Sequence, residues 1–189
     1  KDTVQPGTTI KTSAKSFVKL LFTDQTQMNI GPDTTLKIEQ TRAGDPSLVN
    51  LVGGQIRTKV TKDLLKGNDG PPKDKMQVKT KSAAMGIRGT DFNVSFNTQN
   101  NITALITFEG NVAMARAEPG QDPALVLAQS DRVQSVGAGQ FSGAQPDMPQ
   151  ASIPVKISPA QLETLKSNET FQGVGERSQQ KGTAMASPI

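Results

Sequence analysis

The chain of 189 residues contains no cysteine, histidine, tryptophan or tyrosine. Without His or Cys it lacks the usual general base, the usual thiol nucleophile and the usual zinc ligands. Any catalysis would rest on Ser, Thr, Lys, Asp and Glu alone, so no enzyme, no catalytic residue, no metal and no cofactor is expected. Without Trp or Tyr there is little to stack on a nucleic-acid base or a sugar ring, and nucleic acid is not expected as a partner. The absence of cysteine fits any redox compartment. No apolar run reaches the roughly 20 residues that a membrane-spanning helix needs. No basic-then-apolar leader precedes Lys1, so a removed leader is the expectation.

What the chain does have is a period of two. Leu20 and Phe22, Met28 and Ile30, Leu36 and Ile38, Ile56 with Thr58 and Val60, and Met76 with Val78 each alternate with polar neighbours. Such alternation marks half-buried strands. Breakers separate the runs: Asp24-Gln25, Gly31-Pro32-Asp33, Gly44-Asp45-Pro46, Gly53-Gly54 and Glu109-Gly110-Asn111. Short, frequent, regularly interrupted strands predict an all-β fold, a sandwich or a solenoid. Ala117 to Asp122 reads as a turn, and Ala124 to Phe141 as room for two last strands.

Beyond Phe141 the composition shifts. Pro146, Pro149, Pro154 and Pro159 interrupt any sheet. The expected division is therefore a β domain over 1–141 and a proline-rich extension over 142–189, with one short helix over 159–167 and a flexible tail. Ser158, Pro159 and Gln161 spell a helix start with a capping box. The extension has few apolar residues: Ile153, Val155 and Ile157 alternate as a strand would, and Leu162, Leu165 and Phe171 follow. These six are candidate partner contacts, suited to adding a strand and a helix to an assembly.

The most informative segment is Gly86-Ile87-Arg88-Gly89-Thr90-Asp91-Phe92. A glycine-flanked arginine runs into a strand whose Phe92, Val94 and Phe96 share one face. An apolar strand over 102–108 follows, then Glu109-Gly110. This order resembles the FecR domain, known from periplasmic sensors of iron-siderophore uptake and from stand-alone envelope proteins. The resemblance spans about two-thirds to three-quarters of the chain. It implies that Gly86, Arg88, Gly89, Thr90, Phe92, Glu109 and Gly110 are a family signature with a structural role. Arg88 is then expected to be partly buried and held by Glu109 or Asp91.

The resemblance also implies location and work. It points to a periplasmic or otherwise exported, non-enzymatic scaffold: a subunit of a bacterial envelope assembly. Expected contacts are protein partners, with a homo-oligomer and the cell wall as further options. The alternative is an envelope sensor that transmits a signal; neither a sigma-binding helical segment nor a signalling lobe is visible in this sequence. A glycan-binding or glycan-active protein is the third reading.

Other motifs carry less. Ser16-Phe17-Val18-Lys19 fits a serine-lysine catalytic pattern, but in an alternating strand Ser16 and Lys19 point apart. Asn68-Asp69-Gly70 with Asp74 has too few oxygens for calcium. Between Arg57 and Arg88 stand nine basic residues against three aspartates. Arg57, Lys59, Lys79 and Lys81 are expected on outward sheet positions, as candidate contacts for an acidic partner or surface.

Overall fold

The computed structural model describes residues 2–39, 41–61 and 74–167. Within them thirteen strands form one continuous, curled sheet. They are β1 (Thr9–Lys11), β2 (Val18–Leu21), β3 (Gln27–Ile30), β4 (Thr35–Ile38), β5 (Ser47–Lys59), β6 (Met76–Lys79), β7 (Ala83–Ile87), β8 (Asp91–Asn97), β9 (Ile102–Glu109), β10 (Asn111–Arg116), β11 (Val133–Gly137), β12 (Gln140–Ala144) and β13 (Val155–Lys156). The expectation of an all-β fold holds. Two short helices accompany the strands, α1 (Pro123–Leu127) and α2 (Pro159–Ser167). None of the helices described is long and apolar enough to cross a membrane.

The long β5 organises the sheet. Its first half lies in the ladder β1-β4-β5-β6-β7-β10-β11, and its second half in the ladder β2-β3-β5-β8-β9-β12-β13. The change falls at the glycine pair: Gly53 is in register with Thr35 of the first ladder and Gly54 with Phe96 of the second. Strands β5 and β6 run parallel; the other described pairs are antiparallel.

Both ladders turn their apolar positions to one core. Leu36, Val49, Leu51, Val78, Met85, Ile87, Val112 and Met114 come from the first, and Met28, Ile30, Ile56, Phe92, Val94, Phe96 and Leu105 from the second. Burying so many branched and aromatic side chains, at about 1.5–3 kcal/mol each, is what drives the curl. Hydroxyls join the two ladders inside. Thr103 of β9 meets Thr80 Oγ1 at 2.6 Å and Ser82 Oγ at 2.7 Å, all three residues being buried. These three inward hydroxyls are thus satisfied by one another.

The segment over 123–127 departs from the expected strand. Asp122 caps α1, its side chain accepting from Ala124 N, with Pro123 at the first helical position. Val126 and Leu127 then settle on Ala84, Ala115 and Ala117, small residues on the outward face of the first ladder. The helix wins because that face is paved with alanine and needs a cover. The two strands expected there follow as β11 and β12.

The expected domain border at Phe141 falls inside β12. Chain after it remains tied to the sheet. Ser142 Oγ donates to Ser152 O at 2.7 Å, Gly143 N donates to Ser152 Oγ at 2.9 Å, and Ala151 is buried. Then β13 adds to the edge of β12 through Phe141 and Val155.

Candidate interaction surface

The signature residues occupy two neighbouring turns. Gly86 lies in β7, Arg88 and Gly89 make the turn to β8, and Phe92 of β8 is fully buried. Glu109 ends β9 and Gly110 makes the turn to β10. Asp91 and Glu109 are register partners. Gly110 has φ +80°, and a Cβ there would come within 2.9 Å of Gly89 O and 2.6 Å of Thr90 Cγ2. The two halves of the signature are therefore packed backbone to backbone, and only glycine fits between them. Thr90 O also accepts from Val60 N at 2.9 Å, which pins the turn to the end of β5.

Arg88 is not where the sequence suggested. Its side chain is 55% exposed, and its Nε donates to Asp74 Oδ1 at 3.1 Å. Neither Glu109 nor Asp91 holds it. Asp74 approaches because Gly86 has no side chain: a Cβ on Gly86 would overlap Asp74 Oδ2. The backbone just after Asp74 is fixed as well, Lys75 N donating to Ile87 O at 2.9 Å and Ser47 N to Lys75 O at 3.0 Å. Asp74, set in sequence beside a loop with too few oxygens for calcium, is the arginine's anchor; Asn68-Asp69-Gly70 lie outside the described residues.

Asp91 is committed elsewhere. Arg57 Nε reaches Asp91 Oδ1 at 3.1 Å and Arg57 Nη2 reaches Asp91 Oδ2 at 3.0 Å. The Arg57 guanidinium also lies 4.6 Å from the centre of the Phe108 ring, and Nη1 donates to Lys166 O of α2 at 3.3 Å. With its side chain 16% exposed, Arg57 is a structural joint rather than an open cation. This corrects the expected basic face. Lys59 is exposed on the second ladder. Lys79 lies on the first, where it and Lys37 flank Glu39 at 3.6 and 3.0 Å. Lys81 is exposed beyond the end of β6. Arg57 and Lys59 thus share the second ladder while Lys79 belongs to the first.

Burial raises the Glu39 carboxyl, but the hydrogen bond and charge of Lys37, the charge of Lys79 and a bond from Asn50 outweigh it and hold the group below its ordinary value of 4.5.

The extension residues are placed as follows. Ile153 and Val155 are 74% and 62% exposed at the sheet edge. Ile157 is half-buried, its N–H donating to Gly139 O at 2.8 Å. In α2, Leu162 and Leu165 are half-buried, with Leu162 beside Gly139. Ser158 Oγ accepts from Gln161 N at 3.3 Å, while the Gln161 side chain accepts from the Ser158 hydroxyl instead of reaching the backbone. Phe171 lies outside the described residues. Sequence reasoning missed a depression of about 370 Å³ beside Arg88, lined also by Asp74, Gln77, Asp45 and Pro46 and walled by α1. The Asp122-Pro123 helix start was the signal that would have revealed its wall.

The comparisons agree with this geometry. The model of the FecR protein family matches residues 8–113, from the start of the first ladder into β10. Two crystal structures of a candidate anti-sigma factor from Parabacteroides distasonis ATCC 8503, at 2.50 and 1.65 Å resolution, superimpose with TM-scores of 0.60 and 0.59. Each is 16% identical, and the alignment covers 84% of this chain and 64% of that one. At that identity the likeness is one of fold, and this chain spans less than two-thirds of their length. No curated protein matches the sequence.

Proposed function

Because the chain belongs to the FecR protein family, we propose that it is the FecR-type domain of an envelope regulator, a non-catalytic module that works by contact with protein partners. The observation that carries this reading is the family match over both halves of the signature and the sheet that frames them. The fold likeness to the candidate anti-sigma factor supports it, since regulators of that kind act through proteins rather than through chemistry. The rigid packing of Gly89 and Thr90 against Gly110, with Arg88 presented outward, suits a recognition surface. An exported, periplasmic location goes with this reading.

A structural scaffold is the second reading, and one observation favours it. Ile153 and Val155 stand exposed beside Phe141 at the edge of the second ladder, where another chain could pair. The two readings separate in cells. Deleting the gene of a regulator shifts a narrow set of transcripts. Deleting a scaffold dismantles an envelope complex and leaves those transcripts alone. Unchanged transcripts with a lost complex would reverse the order of the two readings.

A further inference from the structure

Beyond the end of β10 lies a second cavity, and one of its arginines is short of a partner. The chain leaves β10 at Arg116, turns through Gly120 and enters α1 after Asp122. That turn, the far end of α1 and the segment after β12 enclose about 120 Å³, with Arg116, Glu118, Gln121, Val126, Arg132 and Pro149 in the lining. Arg116 is held by two of its three nitrogens. Nη1 donates to Glu118 Oε1 at 3.2 Å and Nη2 to Pro146 O at 2.9 Å. Nε is buried and has no hydrogen-bond partner among the described residues. A cationic donor left buried and unbonded is costly, and a ligand that supplies the missing bond removes that cost. Nε–H lies on the same edge of the guanidinium as Nη2. It therefore faces the chain at Pro146, which goes on to supply Pro149 to the cavity.

Two further donors meet there. Arg132 is exposed, and its guanidinium makes no hydrogen bond or ion pair among the described residues. Gln121 Oε1 accepts from Glu118 N at 2.8 Å, which fixes the amide and leaves its NH2 to donate. Charge and size then select the ligand. The charged lining residues are Arg116 and Arg132 against Glu118, a net of one positive charge. One negative charge balances it, and a doubly charged phosphoryl group overshoots it. The volume falls below the roughly 300–1,000 Å³ of sites that enclose whole small molecules, so the cavity takes a group rather than a molecule. Val126 and Pro149 offer an apolar seat for the carbon next to that group.

We propose that this cavity binds one carboxylate group, of a free small acid or at the end of a polypeptide chain. One oxygen takes Arg116 Nε, and the other takes Arg132 and the Gln121 amide. The site goes beyond the reading of the chain as a regulator and does not depend on it.

The test is an NMR titration of the isotope-labelled full chain, at constant chloride, with acetate, acetyl-Ala-Ala-Ala, the C-terminal amide of that peptide, and inorganic phosphate. The peptide acid is expected to saturate and to shift the Nε–H signals of Arg116 and Arg132 and the side-chain amide of Gln121. It should bind more tightly than phosphate, and at least about tenfold more tightly than the peptide amide, a difference of about 1.4 kcal/mol. Acetate binding at least as tightly as the peptide acid assigns the site to a free acid; weaker acetate binding assigns it to a chain end. Arg132→Gln should weaken binding severalfold with the fold unchanged, because Arg132 has no partner to lose among the described residues. Arg116→Lys, which keeps the charge and removes Nε–H, should do the same. Equal binding of peptide acid and amide, no saturable binding, phosphate binding as tightly as the peptide acid, or indifference to either substitution overturns the proposal. Such a failure leaves the regulator reading standing, because transcripts test that reading independently.

Discussion

Asp74 lies over Gly86 and holds Arg88. That relationship joins a residue before β6 to the signature turn after β7, and it explains why the signature begins with glycine. The arginine is tethered at Nε and is more than half exposed, and its loss takes that one bond from the largely buried Asp74 carboxylate.

Gly86→Ala should therefore push Asp74 away and cost about 1–3 kcal/mol, as overpacking does. Asp74→Ala removes the obstacle. Combined with Gly86→Ala it should be less destabilising than the sum of the two single changes. Denaturant melts of the four proteins give the coupling. Strict additivity would mean that the two residues do not touch in solution.

The two arginines should behave in opposite ways. Arg57 is bonded twice to Asp91, stacked on Phe108 and attached to α2, so Arg57→Ala should cost about 3 kcal/mol. For a domain of this size that lowers Tm by about 6–12 °C. Arg88→Ala breaks a single bond from an arginine that is 55% exposed and should cost about 1 kcal/mol, less than Arg57→Ala. Thermal melts that ranked the two the other way would refute the placement of both side chains.

Glu39 gives a pH signature. Its carboxyl is lowered in the folded protein, so its contribution to stability is present above the ordinary value of 4.5 and fades as the pH falls through the lowered folded value. Glu39→Gln should be less stable than the parent near neutrality, and the gap should close in acid. A gap that widened in acid would mean that the shift has the opposite sign.

The C-terminal border is testable by truncation. Ending the chain after residue 157 removes α2 and the bond from Arg57 to Lys166 O, but keeps Ala151 and β13. Ending it after residue 145 strips Ala151 from the core and uncovers β12. The longer fragment should melt higher than the shorter one. Equal melting temperatures would mean that residues 146–157 add nothing to the sheet.

The strands were legible because each buries one face, and period two records that directly, as in Met28 and Ile30 or Phe92, Val94 and Phe96. The signature was legible because glycine at 89 and 110 answers to the positive φ of its turns. Pairings over long distances were not. Nothing near Arg57 in sequence announces Asp91, and nothing near Arg88 announces Asp74, since any of several carboxylates within reach of the sheet would have served as well. The helix α1 was hidden for another reason. Its apolar side is only Val126 and Leu127, too short for a periodic pattern, and it exists because a face of alanines elsewhere in the chain needs covering. The Asp122-Pro123 start was readable by the rule that succeeded at Ser158-Pro159.

The most direct measurement of the central claim is transcript profiling of cells in which Arg88 is changed to Ala at the native gene. The account predicts that the protein accumulates normally, because Arg88 contributes little to stability, and that the transcripts altered by deleting the gene shift in the same way. Normal protein level with transcripts unchanged from the parent, although deletion shifts them, would contradict the proposal that the chain acts as a regulator through its outward arginine.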